Sequence, residues 1–507
     1  MQTGQEIQDL LVVGGGINGV GIALDAAGRG LKVVLCEMND LASATSSNSS
    51  KLIHGGLRYL EYYEFRLVRE ALAEREVLLK KAPHIIQPLR FRLPHRPHLR
   101  PAWMIRAGLF LYDNLSKRTT LAGSRGIRFD ADSCLVPEMK KGFEYSDGWV
   151  DDARLVVLNA VAARDKGAQI KTRSRCISAV RKQSYWEVIL ENQLSGTREL
   201  IKARALVNAA GPWVASLFDT ALSTRSPKNI RLVKGSHIIV PRIHDEPQAY
   251  ILQNEDNRVV FVIPYEERFS LIGTTDIEHH GDPSTVKISQ QEIDYLVAVV
   301  NSHFKKKISA DDVVRTYSGV RPLLDDEADS PQAVTRDYTF ELDAEADKAP
   351  LLSIFGGKIT TYRKLAEAAV DSIARFFPSC AGGWTETAVL PGGNFSDHTS
   401  LMRVLRQQYA WLPEATLARY VRCYGTLSHK LLEGRSSPED LGRHFGAGLY
   451  ESEVQYLIAG EWALTLEDII WRRTKLGLLL SAEQCDELEK YLQEYLQKYT
   501  QKSIGNA

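Results

Sequence analysis

Four apolar residues, Leu10-Leu11-Val12-Val13, run straight into Gly14-Gly15-Gly16, and Ile17 to Ala27 then continues at helical spacing. An apolar run without alternation reads as a strand buried on both faces, the kind found in a parallel sheet covered by helices. Gly14, Gly16 and Gly19 fit G-x-G-x-x-G. In such a strand–turn–helix the first glycine permits the tight turn, and the second lets a diphosphate approach the backbone. The third lets helix and strand pack closely. Free N–H groups and the positive helix end favour the diphosphate. Structural turns also use glycine, so context decides. A second apolar run, Lys32 to Cys36, ends in Glu37, about 20 residues past the glycines, where a carboxylate accepts ribose hydroxyls. That acid argues against a 2′-phosphate and for an adenosine dinucleotide, FAD or NAD.

A length of 507 residues exceeds one ordinary core and predicts two or three folding units. Lys+Arg and Asp+Glu both total 63, so the balanced charge gives no general affinity for nucleic acid. The six cysteines are widely scattered, without zinc or redox spacing, which predicts reduced thiols in a cytoplasmic protein and no metal. The start of the chain is short and polar and does not read as a signal peptide. No apolar run is long enough to span a bilayer, so any membrane contact is expected to be peripheral.

After Glu37 comes a serine-rich loop, Ala44-Thr45-Ser46-Ser47, followed by Ser50-Lys51-Leu52-Ile53-His54-Gly55-Gly56-Leu57-Arg58-Tyr59-Leu60 and a helical segment over 65–81. Small hydroxyls at a helix start suit phosphate contact, which favours a ligand loop over a linker. The stretch resembles the signature of the FAD-dependent glycerol-3-phosphate dehydrogenases, with a close match to their aerobic bacterial members. The likeness extends across nearly the whole chain, more loosely after Thr385.

The expected architecture is α/β. An FAD-binding Rossmann-type domain, like that of glutathione reductase and D-amino-acid oxidase, comprises 1–75, 151–229 and 349–388. A substrate domain with an inserted mixed β-sheet comprises 76–150, which also faces the membrane, and 230–348. A helical cap covers 389–507. Within it Ser481-Ala482-Glu483-Gln484 reads as a capping box. Residues 77–112 contain no aspartate or glutamate but do contain Lys80, Lys81, Arg90, Arg92, Arg96, Arg100 and Arg106, mixed with Trp103, Phe110 and other apolar side chains. From Pro101 this run predicts a helix lying in the headgroup layer of an anionic membrane. A core helix with a solvated basic face would give the same pattern. The resemblance favours the membrane, because that family delivers electrons to quinone.

Asp151 or Asp152 reads as the cap of a helix beginning near Leu155. Residues 205–213 read as a buried strand ending at Ala209-Ala210-Gly211, where backbone can approach a flat ligand. Residues 230–273 alternate and predict a mixed or antiparallel sheet. His237 lies there in Lys234-Gly235-Ser236-His237, and Arg321 and Arg336 flank an acidic turn (Asp325, Asp326, Glu327, Asp329) whose carboxylates are their alternative partners. Leu351 to Lys364 reads as a strand, a Gly356-Gly357 turn and a helix start, with Lys358 at the turn.

By resemblance, the chain oxidises sn-glycerol 3-phosphate to dihydroxyacetone phosphate by hydride transfer to FAD, and passes electrons to ubiquinone or menaquinone at the inner face of the cytoplasmic membrane. Arg321, Arg336 and Arg58 then surround the substrate phosphate, with Tyr59 beside them. His237 is the candidate base, and Lys358 or Arg58 stabilises the developing alkoxide. The expected cofactor contacts are Gly14, Gly16, Gly19, Glu37, Thr45, Ser46, Ser47, Lys51, Gly211, Gly356, Gly357 and Thr360. An α-glycerophosphate oxidase that uses oxygen, an amine or amino-acid oxidase of the same fold, and a non-catalytic flavin-binding protein are the alternatives. Oligomeric state stays open, a homodimer included.

Overall fold

The computed structural model describes residues 6–96, 100–256, 258–324, 337–345 and 347–505, with side chains as far as 498. Gln8–Val13 lies inside an eight-stranded sheet, parallel to Val33–Cys36 on one side and to Arg198–Asn208 on the other. Leu10 and Val12 pack with helices Ile17–Gly28, Asp152–Asp165 and Tyr362–Ala374, while Leu11 and Val13 pack with the hairpin Ser174–Arg181/Trp186–Asn192. Burial on both faces is why this strand shows no alternation. Leu351–Gly356 continues the parallel set beyond Arg198–Asn208. The carboxyl ends of these strands form one rim, the place where open α/β sheets hold ligands.

The second sheet has ten strands and is mixed. Ile230–Pro241 pairs antiparallel with both Arg315–Leu324 and Phe269–Gly273. Period two divides its side chains. Ile238 and Val240 meet helix Gln290–His303 on one face, and Ile239 packs on the opposite face with Phe91 and Tyr145. His237 shares the face of Ile239, away from the helix.

Two strands depart from the expected segmentation. Tyr338–Asp343, grouped above with substrate residues 230–348, pairs with Leu351–Gly356 in the first sheet. Leu52–Ile53, grouped with 1–75, pairs with Lys141–Val150 in the second. Both are short pieces whose partners are set by tertiary position rather than local pattern.

The basic run also divides. Ile86–Pro94 is a strand of the second sheet and Ala102–Asn114 is a helix. Arg90 and Arg92 pair with buried Glu144, and the buried Lys81 ammonium donates to the carbonyls of Thr385 and Ala388 at 2.9 Å. Arg90 and Arg92 are therefore paired inside the fold and Lys81 is buried, while Lys80, Arg100 and Arg106 stay exposed.

The last part of the chain is helical around its own core, apart from the short strand pair His444–Gly446/Leu449–Tyr450. It docks on the first sheet's helices through buried ion pairs. Arg154 forms a bidentate pair with Glu461, and neither side chain is exposed by more than 1%. Charges so far from water must be paired, so these contacts fix where the domain sits.

Candidate active site

Gly14 has φ +115°, and a Cβ there would lie 2.4 Å from the Ala209 carbonyl oxygen. A Cβ on Gly19 would lie 1.9 Å from the Gly14 oxygen, so the helix can seat on the turn only because both are glycine. The Ile17 N–H at the helix start donates to Ser46 Oγ at 3.0 Å. Glu37 closes the neighbouring strand end, accepting from the N–H groups of Gly15 (2.7 Å) and Asn39 (2.8 Å). Burial raises its pKa against those two bonds, which favour the carboxylate. Gly356 and Gly357 hold φ +77° and +102°, and Asn18 Nδ2 from the opening helix donates to the Gly356 oxygen at 3.1 Å. The second glycine turn therefore abuts the start of the first helix. Gly211, with φ +56°, has open space beside it.

Between the two sheets lies a cavity of about 1310 Å³. Thr45, Ser46, Arg58, Tyr59, His237, Arg321, Gly357, Lys358 and Thr360 all line it. Gly14, Gly16, Glu37, Gly211 and Gly356 lie at the strand ends beside it, and Gly19 lies in the first turn of the opening helix. Arg336 lies outside the described residues, as do the acids of the turn before it. A large chamber meeting a glycine-walled helix start suits a flat dinucleotide.

Ser47 and Lys51 do not line the chamber. The buried Lys51 ammonium donates to Asp152 at 2.7 Å and to the Ser47 carbonyl at 3.0 Å. Asp152 also accepts from the Ser49 hydroxyl at 2.7 Å and the Ser49 N–H at 3.2 Å. Lys51 thus tethers the loop rather than reaching a ligand with its side chain, because a buried ammonium goes to the nearest buried carboxylate. Of the two candidate caps, Asp151 accepts from the Arg154 N–H at 3.1 Å and caps the helix.

On the substrate side, His237 Nε2 lies 2.9 Å from Ser50 Oγ, and its ring stacks on Tyr317 with centroids 4.7 Å apart. Gly273 opposite leaves room for the imidazole, since a Cβ there would lie 2.1 Å from His237 Cδ2. Burial, and then the charges of Arg321 and Lys51, hold the His237 pKa well below the ordinary histidine value, so the ring is neutral at pH 7. Arg321 pairs with Asp276 and donates to Thr274 Oγ1 at 3.2 Å. Gly235 makes space for this guanidinium, because a Cβ there would lie 2.5 Å from Nη2. Lys358 Nζ stands 3.9 Å from the Tyr59 ring centroid, a cation–π contact that aims the ammonium.

Ser50, Asp152, Thr274 and Asp276 were not singled out as site residues by sequence reasoning. Each acts through a partner far along the chain, with no short-range spacing to mark it. Thr274 and Asp276 follow the end of the strand Phe269–Gly273, the only local signal available.

The profile of the family described as FAD dependent oxidoreductase matches residues 9–363, and that of the C-terminal domain of alpha-glycerophosphate oxidase matches 384–502. The chain is 58% identical to the aerobic glycerol-3-phosphate dehydrogenase of Escherichia coli K12 over 488 residues, covering 96% of this chain and 97% of that one. It belongs to the FAD-dependent glycerol-3-phosphate dehydrogenase family. Within the family it is also similar to D-erythritol 1-phosphate dehydrogenase of Brucella abortus, 53% identical over 481 residues, 94% of this chain and 96% of that one. The glycerol-3-phosphate dehydrogenase of Bacillus halodurans, solved with FAD, matches with a TM-score of 0.75 at 28% identity, covering 100% of this chain and 92% of that one. The expected family, fold and cofactor class are those found.

Proposed function

We propose that the chain oxidises sn-glycerol 3-phosphate to dihydroxyacetone phosphate and passes the electrons to a membrane quinone. One observation carries the reading: a single chamber joins the glycine-turn helix start to neutral His237, Lys358, Arg58 and Arg321. Bound FAD supplies the hydride acceptor. Ser46, Thr45, Gly357 and Thr360 would hold it along the chamber wall, with Glu37 at the ribose end. Arg321, kept extended by Thr274 and Asp276, and Arg58 take the phosphate, joined by Arg336 in the sequence-based reading. Anchoring that remote group orients the secondary alcohol at the reacting carbon. His237, neutral at working pH, takes the hydroxyl proton at Nε2, the nitrogen reached by Ser50 in the chamber wall. Lys358, held over Tyr59, stabilises negative charge developing on that oxygen.

Helix Ala102–Asn114 supports peripheral attachment to a membrane, and the family resemblance makes that the inner face of the cytoplasmic membrane. Trp103 and Phe110 are 70% and 64% exposed, while Leu109 and Tyr112 are buried. No helix among the described residues is long and apolar enough to cross a membrane. Met104, Ile105 and Leu111 of the same helix line the chamber, which gives a lipid-dissolved quinone a short approach. Arg90 and Arg92 are paired within the fold while Arg100 and Arg106 beside the aromatics are exposed, so inserted aromatic side chains carry the attachment with basic charge adding to it.

The test is anaerobic addition of glycerol 3-phosphate to the purified flavoprotein. Flavin absorbance bleaches, and added quinone restores it. Bleaching by D-erythritol 1-phosphate but not by glycerol 3-phosphate would transfer the assignment to the longer substrate, and an unchanged spectrum with both would end it. Re-oxidation by oxygen as fast as by quinone would favour the oxidase.

A further inference from the structure

The helical C-terminal domain contributes no lining residue to the chamber, yet one short segment of it, 467–475, reaches three of the walls that build the site. Arg473 Nη1 and Nη2 donate to the two oxygens of Asp40, both at 2.8 Å, and Arg472 Nε adds a bond of 2.6 Å. Asp40, Arg473 and Asp468 have no exposed surface. Asp40 sits in the loop that follows Glu37. That loop is knit to the glycine turn by Glu37 accepting from the Gly15 N–H and by the Ala42 N–H donating to the Gly15 oxygen at 3.1 Å.

The second wall is held by Lys475, which pairs with the buried cap Asp151. The next residue, Asp152, anchors Ser49 and Lys51 of the serine-rich loop. The third is held by Trp471, whose ring lies 3.3 Å from the guanidinium carbon of Arg315, the first residue of the strand that carries Tyr317 and Arg321. Asp468 also pairs with Arg173 at 2.7 Å, and the Arg173 N–H donates to the Asn39 oxygen at 2.9 Å.

Backbone strain is found at the same places. Ala42, Lys51, Arg173 and Lys475 all have positive φ, between +54° and +60°. Seven other non-glycine residues share that conformation elsewhere in the described chain, so it accompanies the clasp contacts without by itself marking them.

We propose that residues 467–475 are a clasp that completes the FAD site, so that cofactor binding and docking of this segment form one coupled equilibrium. The proposal rests on the FAD assignment above and not on the identity of the substrate. A loop held by Asp40 presents Glu37 and Gly15 in the geometry FAD needs. Occupied by FAD, the same loop holds Asp40 in place for Arg472 and Arg473. Linkage makes the effect reciprocal.

The experiment uses the full-length protein and needs no turnover. FAD binding to reconstituted apoprotein is titrated by flavin fluorescence for Arg472→Met, Lys475→Met and, as a control, Arg406→Met, which breaks an exposed pair with Glu414 in the same domain. The two clasp variants weaken FAD binding roughly ten- to hundredfold, the ordinary size of a coupling between sites, and the control stays within about twofold. Hydrogen exchange on the wild-type chain adds an arm that does not depend on variants folding: amides of 467–475 exchange faster without FAD than with it. Unchanged FAD affinity in variants whose Tm falls would reduce the segment to a structural joint, and exchange indifferent to FAD would overturn the coupling. Failure of glycerol 3-phosphate to bleach the flavin would leave both readouts intact, so the two readings fail separately.

Discussion

Replacing Trp103 and Phe110 together by serine tests the attachment directly. Large aromatic side chains present ~150–250 Å² each. With 70% and 64% of the two residues exposed, about 270 Å² of aromatic surface is available to lipid. At ~25 cal/mol per Å², complete burial of that area would contribute about 7 kcal/mol. An interfacial helix buries roughly half, leaving ~3 kcal/mol, or about a hundredfold in vesicle partitioning at 1.4 kcal/mol per factor of ten. The assay is co-sedimentation of holoprotein with vesicles of neutral and of anionic lipid, at low and high salt. The double variant stays in the supernatant, keeps its flavin, and reduces a soluble dye at the wild-type rate, because both side chains point away from the core. Salt weakens wild-type binding only in part, since Arg90 and Arg92 are paired within the fold while Lys80, Arg100 and Arg106 keep exposed charge. Unchanged partitioning of the double variant would refute the aromatic anchor, and release of the wild type by salt alone would transfer attachment to charge.

Other expectations follow from the same contacts. Arg321→Ala removes a charge-assisted contact worth about 1.5–3 kcal/mol, so steady-state kinetics with glycerol 3-phosphate show KM raised roughly ten- to hundredfold; loss of flavin from this variant would make Arg321 structural. Arg154→Met takes both hydrogen bonds from buried Glu461, leaving only Arg473 Nε at 3.7 Å, and costs about 3 kcal/mol in urea unfolding, whereas Arg154→Met with Glu461→Leu recovers most of it; additive losses would show that the pair is not coupled. Burial, then the nearby charge of Arg154, pulls buried His84 down to about 3. Its neutral form is favoured in the fold, so this stability is complete above the unfolded pKa near 6.5 and is lost as pH falls. Between pH 7 and pH 5 that amounts to about 2 kcal/mol, and urea unfolding of His84→Gln has a pH dependence shallower by that much. An unchanged slope would assign the acid sensitivity elsewhere.

Local chemistry made much of this molecule legible. The strand–glycine–helix opening, the helix Phe65–Lys81 and the helix after Pro101 all appear where apolar spacing and punctuation placed them. The capping box at Ser481 is present, with Ser481 and Gln484 bonded reciprocally. What escaped was non-local. Asp276 pairs with Arg321, because the sheet brings residues 45 positions apart side by side. Lys51 looked like a phosphate ligand until its buried neighbour Asp152, a hundred positions on, appeared beside it. In the helical cap, Asp468–Arg473 is a π-helix. Its wide turn lets Arg472 and Arg473 converge on one carboxylate, a placement that periodicity alone does not report.

The serine-rich loop joins the two sheets at very short range. Ser46 caps the opening helix of the first, and Leu52–Ile53 is already hydrogen-bonded into the second. So short a connector works as a ruler, setting how far the opening helix of one sheet stands from the edge of the other. Anyone transplanting a foreign polyol-phosphate pocket onto this scaffold should therefore cut outside 46–53. A graft that lengthened this span would shift Ser46 and the opening helix against the second sheet, and the chamber between them with it.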